Sequence, residues 1–272
     1  MWQKAETNNL IYYTLPHWQD LGANVYVSCR LGGVSVGGFS SLNLARHTGD
    51  DPDAVTENRR RFFAAVKADP KDFVALQQTH SCNIVRVSSA DRGKGLMEYE
   101  TAIADTDAMY TVDANVFMAT FYADCLPIAL FDPKNRVLAL VHSGWRGTWQ
   151  NIAAAAVTAM SEDCRSEPEN ILAAFGPGIC QSCYEVDSGF YQNFLGAYPH
   201  AEPWFKSGKN GKYYFDNAAA NRDLLTAAGV LEKNITNFPF CTACNKDMFY
   251  SFRFSQQECG RHGLFGQLIK ST

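Results

Sequence analysis

In the stretch ADCLPIALFDPKNRVLALVHSGWRGT, residues 123–148, a cysteine stands near one end and a histidine near the other. A thiol and an imidazole at such places have three readings. Cys125 is a nucleophile with His142 as its base, or the two are ligands of one metal, or both are buried without chemistry, as free cysteines often are. LPIALFD and RVLALVH flank DPKN, in which Asp132 suits the first and Pro133 the second position of a type I turn. Pairing Asp132 with Asn135 sets Cys125 directly opposite His142, with Cβ atoms about 4.5–5.5 Å apart. Asp124 precedes the thiol and SGWRGT follows the imidazole. Gly144 and Gly147 let the backbone approach a ligand closely. A helix opening at Thr148 would offer free N–H groups to an anion, with Arg146 adding a bidentate charge. A catalytic metal needs a third ligand, and QQTHSC supplies His80 at a strand boundary. A Cys-His-His set suits zinc and leaves a fourth position open for water or substrate.

The elements that must position these groups are legible as runs. DDPDAVTENRRRFFAAVKA reads as a helix capped by Asp51, with Pro52 at its first position. TWQNIAAAAVTAMSED reads as a second helix, capped by Thr148. DSGFYQNFLGAY and DNAAANRDLLTAAG read as two more, the last stopping at Gly229. Strand-like runs are ANVYVSCR, FVALQQTH, NIVRVSS, TDAMYTV, VFMATFYAD, LPIALFD, RVLALVH and ILAAFG. The last hairpin is apolar on both faces, so it belongs inside a sheet covered on both sides. Strands cluster ahead of the second helix, which predicts an α+β fold with mixed sheets rather than a doubly wound one.

The chain has 272 residues, 46% hydrophobic and 19% charged, with a formal net charge of −4. That describes a globular chain long enough for one large domain or two small ones, and its charge argues against a nucleic-acid partner. No run reaches the length of a membrane helix, and the first residues lack a signal-peptide core. Nine scattered cysteines read as reduced thiols, which places the chain in the cytoplasm.

GGFSSLNLARHTGDD, QQTH, ADTDAMYT, ADCLPIALFD, VHSGWRGT, FGPGICQSCYEV and CTACNKDMFYSFR follow one another along residues 37–253. In these motifs and their order the chain resembles the YfiH-type laccase-domain family, also described as purine nucleoside phosphorylases and as peptidoglycan editing factors. The resemblance implies a single catalytic domain over residues 1–272, an α/β/β/α-layered fold and one catalytic zinc on His80, Cys125 and His142. It implies phosphorolysis of adenosine, inosine, guanosine and methylthioadenosine, and deamination of adenosine. Its small-molecule partners would be nucleoside and phosphate, with the chain a monomer or weak homodimer. Asn43, Arg46, Gly144, Arg146 and Thr148 become expected substrate-binding residues, and Asp124 an expected proton shuttle. QTHS and SFRF depart from the family's usual pattern and bear on pocket shape. The family's fold also resembles cysteine hydrolases of the toxin-deamidase type. A rival reading therefore makes Cys125 the nucleophile of an amidase that edits a cell-wall precursor. A multicopper oxidase needs about ten histidines. The chain has six, so copper at the Cys-His-His set is the lesser alternative to zinc, and a non-enzymatic binding protein is a third class.

CQSC at 180–183 and CTAC at 241–244 could form a four-cysteine zinc site. Their 57-residue separation favours ordinary thiols. His17, His47, His200 and His262 read as surface or hydrogen-bonding residues, with His47 nearest the expected pocket. FPFCTACNKDMFYSFRF reads as a core strand, one ring of which could stack on a purine.

Overall fold

The computed structural model describes residues 1–255 and 258–270. Two six-stranded sheets lie face to face. The first runs in the order Gln3–Thr7, Leu10–Thr14, Ala23–Ser28, His262–Leu268, Phe117–Tyr122, Phe73–Ala75. The second runs Ile235–Thr236, Leu172–Phe175, Leu126–Asp132, Val137–Ser143, Ala108–Thr111, Ile84–Arg86. Both are mixed: Phe73–Ala75 is parallel to Phe117–Tyr122, and Ile84–Arg86 to Ala108–Thr111.

Three apolar clusters make the layers. Val25, Val27, Met118 and Leu264 of the first sheet pack against Ala129, Phe131, Leu138 and Leu140 of the second. The outer face of the first sheet takes Phe62 and Phe63 of the helix Pro52–Val66. The outer face of the second takes Ile152, Ala156, Val157 and Met160 of the helix Ile152–Cys164. The order is thus α/β/β/α, as expected. It explains why Phe117–Tyr122, Leu126–Asp132 and Val137–Ser143 are buried at every position: each has a sheet on one side and a helix on the other.

All eight strand-like runs contain a strand. The N-terminal hairpin, the strand His262–Leu268 and a small third sheet (Glu185–Val186, Tyr213–Phe215, Phe205–Ser207) carry no such reading in the sequence. The helices beginning at Pro52, Ser188 and Asn217 stand where expected, capped by Asp51, Asp187 and Asp216.

Three expectations are corrected. The run from Trp145 is two helices, Trp145–Trp149 and Ile152–Cys164, parted at Asn151, whose φ is +60°. Gly144 is the N-cap of the first, and Thr148 lies inside it. FPFCTACNKDMFYSFRF is not a strand. It is irregular chain ending in the short helix Phe252–Ser255, with Phe249 and Tyr250 buried and Phe240, Phe252 and Phe254 exposed. The hairpin register also differs: Asp132 pairs with Val137 and Pro127 with His142. The Asp132 carboxylate accepts the N–H groups of Lys134 and Asn135 at 2.9 and 3.1 Å. Arg136 reverses the chain at φ +54°. This side-chain-capped loop of four residues moves the partner strand by two positions. Among the described residues no helix is long and apolar enough to cross a membrane.

Candidate metal centre

The ligand atoms of His80, Cys125 and His142 all lie within 4.8 Å of one another. Cys125 Sγ is 3.7 Å from His80 Nε2. Topology brings the three together. The neighbouring parallel strands Phe73–Ala75 and Phe117–Tyr122 end on the same side of the first sheet. Each is followed by a loop that crosses to the second sheet; His80 rides on one loop and Cys125 on the other. His142 is the penultimate residue of Val137–Ser143. Extending the observed register by one step sets Cys125 opposite Gly144 and makes His142 its diagonal neighbour on the same face. A Cβ on Gly144 would stand 2.8 Å from His80 Cδ2 and 2.9 Å from Cys125 Sγ, so glycine leaves the donors their room.

Asp107 holds this arrangement. One of its oxygens lies 2.6 Å from His142 Nδ1. The other accepts the N–H groups of Thr79 and Ser81, at 3.1 and 2.7 Å, on either side of His80. His80 has φ +64°. Such a backbone costs about 1–3 kcal/mol and persists only where its surroundings fix it. A carboxylate facing Nδ1 keeps a proton there and leaves the Nε2 lone pair of His142 for a ligand. Burial pushes the Cys125 thiol up, but the His142 and His80 imidazoles outweigh it and bring it to about 6. Burial pulls His142 down, and the Cys125 and Asp107 charges raise it to about 9. Burial raises Asp107, and its bonds to His142 and Ser81 take it below the usual carboxylate range. Two imidazoles and a readily ionised thiol, backed by a carboxylate, fit a zinc ion with one position open.

Beside the donors lies a cavity of about 150 Å³ walled by Asp124, Cys125, Trp145, Tyr184, Phe252 and Arg253. That is smaller than the usual ~300–1,000 Å³ of a small-molecule site. It adjoins a hollow of about 340 Å³ through the shared Trp145, Tyr184 and Arg253. The Asp124 carboxylate accepts the Thr242 hydroxyl at 2.6 Å and the Arg253 N–H at 2.7 Å. Arg253 stacks over Tyr184 at 5.2 Å.

The other expected residues are spread differently. Arg146 is exposed, stacks on Trp145 at 4.5 Å and lines a further hollow beside Asp187. Thr148 is fully buried; its hydroxyl donates to Asn217 and accepts from Asn221. Its N–H is spent on the Gly144 carbonyl, so it offers no anion a donor. Asn43 is buried among Thr48, Asp50 and the Arg261 N–H, and Arg46 bonds the Leu96 carbonyl and Thr56. Neither lines the pocket. His17 and His200 are exposed as expected. His47 packs on Tyr99. His262 is not a surface residue: it is fully buried, and among the described residues the Pro177 carbonyl is the backbone acceptor that faces its ring, without a well-aligned bond. Asp107, Trp145, Tyr184, Thr242 and Arg253 had no role read for them. All five stand inside quoted motifs, Arg253 as the last residue of CTACNKDMFYSFR, and an acid directly ahead of a buried strand, as in DTDAMYT, was the available signal for Asp107.

Residues 24–268 match the family model described as multi-copper polyphenol oxidoreductase laccase. The purine nucleoside phosphorylase YlmD of Geobacillus stearothermophilus is 35% identical over 241 residues, 88% of each chain. Adenosine deaminase RL5, from an unknown prokaryotic organism, is 35% identical over 218 residues, 79% of this chain and 82% of its own. The crystal structure of YlmD from G. stearothermophilus matches with a TM-score of 0.93 at 32% identity over 99% of both chains. That of Bacillus licheniformis YfiH matches at 0.92 and 31% over 98% of both. The chain belongs to the laccase-domain family that includes YfiH and YlmD.

Proposed function

We propose that the chain is a zinc-dependent purine nucleoside phosphorylase. It would convert adenosine, inosine, guanosine or methylthioadenosine and phosphate to free base and pentose 1-phosphate, and deaminate adenosine to inosine. The observation that carries this reading is the Asp107-backed donor set of His80, Cys125 and His142, of which Cys125 lines the adjoining pocket. The names of YlmD and RL5 supply the substrate class. Bound to those three donors, zinc would supply a Lewis acid and lower the pKa of a coordinated water to about 7.

The chain's own residues have distinct tasks. The walls Trp145, Tyr184 and Phe252 offer faces for a purine. Arg253 and Lys212 line the adjoining hollow together with Glu185 and Asp187, and are the cations available there to phosphate. The Asp124 carboxylate, with one bond to each oxygen, keeps a free lone pair on each and is placed to carry a proton at the pocket wall. The chain has only six histidines, of which two are in the donor set, so a four-copper site has no ligands to build it.

A second reading has a specific observation behind it. Asp107, His142 and the low-pKa Cys125 also form an acid–base–thiol series, the order of a cysteine hydrolase acting on amides. One experiment separates the two. Protein purified without chelator is assayed for phosphate-dependent release of adenine from adenosine, and for iodoacetamide labelling of Cys125 before and after chelation. The phosphorylase reading expects turnover, and a thiol protected until the metal is removed. Immediate labelling with no nucleoside turnover overturns it in favour of the hydrolase.

A further inference from the structure

The two Cys-x2-Cys pairs are far apart in sequence but meet in space. Cys180 and the short turn Gln181–Cys183 follow the strand Leu172–Phe175; Cys241 and Cys244 lie in the irregular chain before Phe252–Ser255. All four sulfurs lie within 4.8 Å of one another. Cys244 Sγ is 3.5 Å from Cys183 Sγ and 4.0 Å from Cys180 Sγ. Four thiolates around one zinc at about 2.3 Å form a tetrahedron with sulfurs about 3.8 Å apart. A disulfide joins one sulfur to one partner at about 2.05 Å, whereas Cys244 has two sulfur neighbours at similar distance. The Cys180 N–H also donates to Cys241 Sγ at 3.2 Å, the kind of backbone bond that stabilises a thiolate.

We propose that Cys180, Cys183, Cys241 and Cys244 bind a second zinc ion in a closed four-sulfur site. The site is structural, because all four positions are taken by protein and none is left for substrate. Its consequence reaches the pocket. Thr242, between the second pair, donates its N–H to the Gly178 carbonyl at 3.1 Å and its hydroxyl to Asp124 at 2.6 Å. The Ile179 N–H in turn holds the Asp124 carbonyl at 2.9 Å. Zinc would thus clamp residues 176–183 to 241–244 and fix the residue preceding Cys125 from both sides. The chain between Pro239 and Ser251 has no strand or long helix of its own to do this.

The site is independent of the function proposed above, and the test keeps the two apart. Zinc per chain is measured by plasma mass spectrometry on wild-type protein, a His80→Ala/His142→Ala variant and a Cys183→Ser/Cys244→Ser variant. All are purified under reducing conditions without chelator or nickel. The histidine variant is expected to retain one zinc, and its cobalt-substituted form to show intense sulfur-to-cobalt charge-transfer bands. The cysteine variant is expected to hold one zinc fewer than wild type. Should the cysteine variant fail to fold, the histidine variant decides alone. A zinc-free histidine variant, recovery of the four cysteines as two disulfides, or iron with inorganic sulfide in place of zinc each overturns the proposal. A wild type with one zinc that survives in the histidine variant would uphold this site while removing the catalytic one.

Discussion

Replacing Asp107 by Asn changes almost no volume and removes one acceptor. The native carboxylate faces His142 Nδ1 at 2.6 Å with one oxygen, and accepts Thr79 N, Ser81 N and Ser81 Oγ at 3.1, 2.7 and 2.8 Å with the other. Asparagine has one carbonyl and one NH2 for these two sides. If the carbonyl serves Thr79 and Ser81, the NH2 meets the Nδ1–H of His142. The imidazole must then move its proton to Nε2, the nitrogen that should ligate. If the carbonyl serves His142, the NH2 faces two backbone N–H groups and the His80 turn loses its anchor. Either way one of three donors is compromised. Outer-shell partners of this kind are worth about 10–100-fold in metal affinity. An N–H left unpaired in a buried place adds about 1–3 kcal/mol, so the expectation is the upper end, near 100-fold. The assay is zinc competition against a chromogenic chelator at neutral pH, with circular dichroism to establish folding. Adenosine cleavage should fall in parallel at limiting zinc and recover in excess zinc. A folded D107N protein that binds zinc within about twofold of wild type would refute the reasoning, because the carboxylate would then not be setting the histidine tautomer.

Gly144→Ala attacks the same centre by volume: its Cβ would press on His80 and Cys125 at 2.8 and 2.9 Å. Overpacking costs about 1–3 kcal/mol, which predicts zinc affinity reduced about 5- to 150-fold, read in the same competition. His262 supplies a pH dependence. Burial pulls it down to about 3, a loss the Pro177 carbonyl only partly offsets. The unfolded chain titrates near 6.5, so it binds the extra proton, and stability falls as pH drops below that value. One such proton is worth about 2 kcal/mol between pH 7 and 5. His47, lowered to about 4 mainly by burial, acts in the same sense. Urea unfolding of His262→Phe protein should lose its share of that pH slope, and an unchanged slope would show that His262 takes up its proton equally in the folded and unfolded chain.

Much of the fold was legible because burial on both faces leaves a plain mark. LPIALFD and RVLALVH are apolar throughout, and each sits between the other sheet and a helix. The N-terminal hairpin was missed because QKAET is largely exposed and carries little apolar pattern, which leaves the short apolar run LIYYT without a legible partner. The strand HGLFGQL hides behind two glycines and a buried histidine. Thr148 was misread for a different reason. A threonine ahead of an alanine-rich run has the pattern of a cap, but its hydroxyl was taken into a buried network with Asn217 and Asn221, which only the tertiary fold supplies.

The register error in the hairpin shows why the thiol and imidazole could be associated on wrong grounds. A two-residue turn and the observed four-residue loop differ by one whole pleat, and strand side chains alternate with a period of two. The slip therefore left Cys125 and His142 on the same face and only exchanged a direct neighbour for a diagonal one. A slip of a single residue, had the loop held three, would have put them on opposite faces. His80 had no such protection. Its place beside Cys125 depends on Phe73–Ala75 lying parallel to Phe117–Tyr122, a pairing between segments more than forty residues apart that no local pattern encodes. The same holds for the four cysteines: the 57 residues that argued against a shared site are largely the small third sheet and two helices, which leave the main sheets after one pair and return the chain beside it at the other. Sequence distance measures the length of an excursion, and the sheet order decides where it ends.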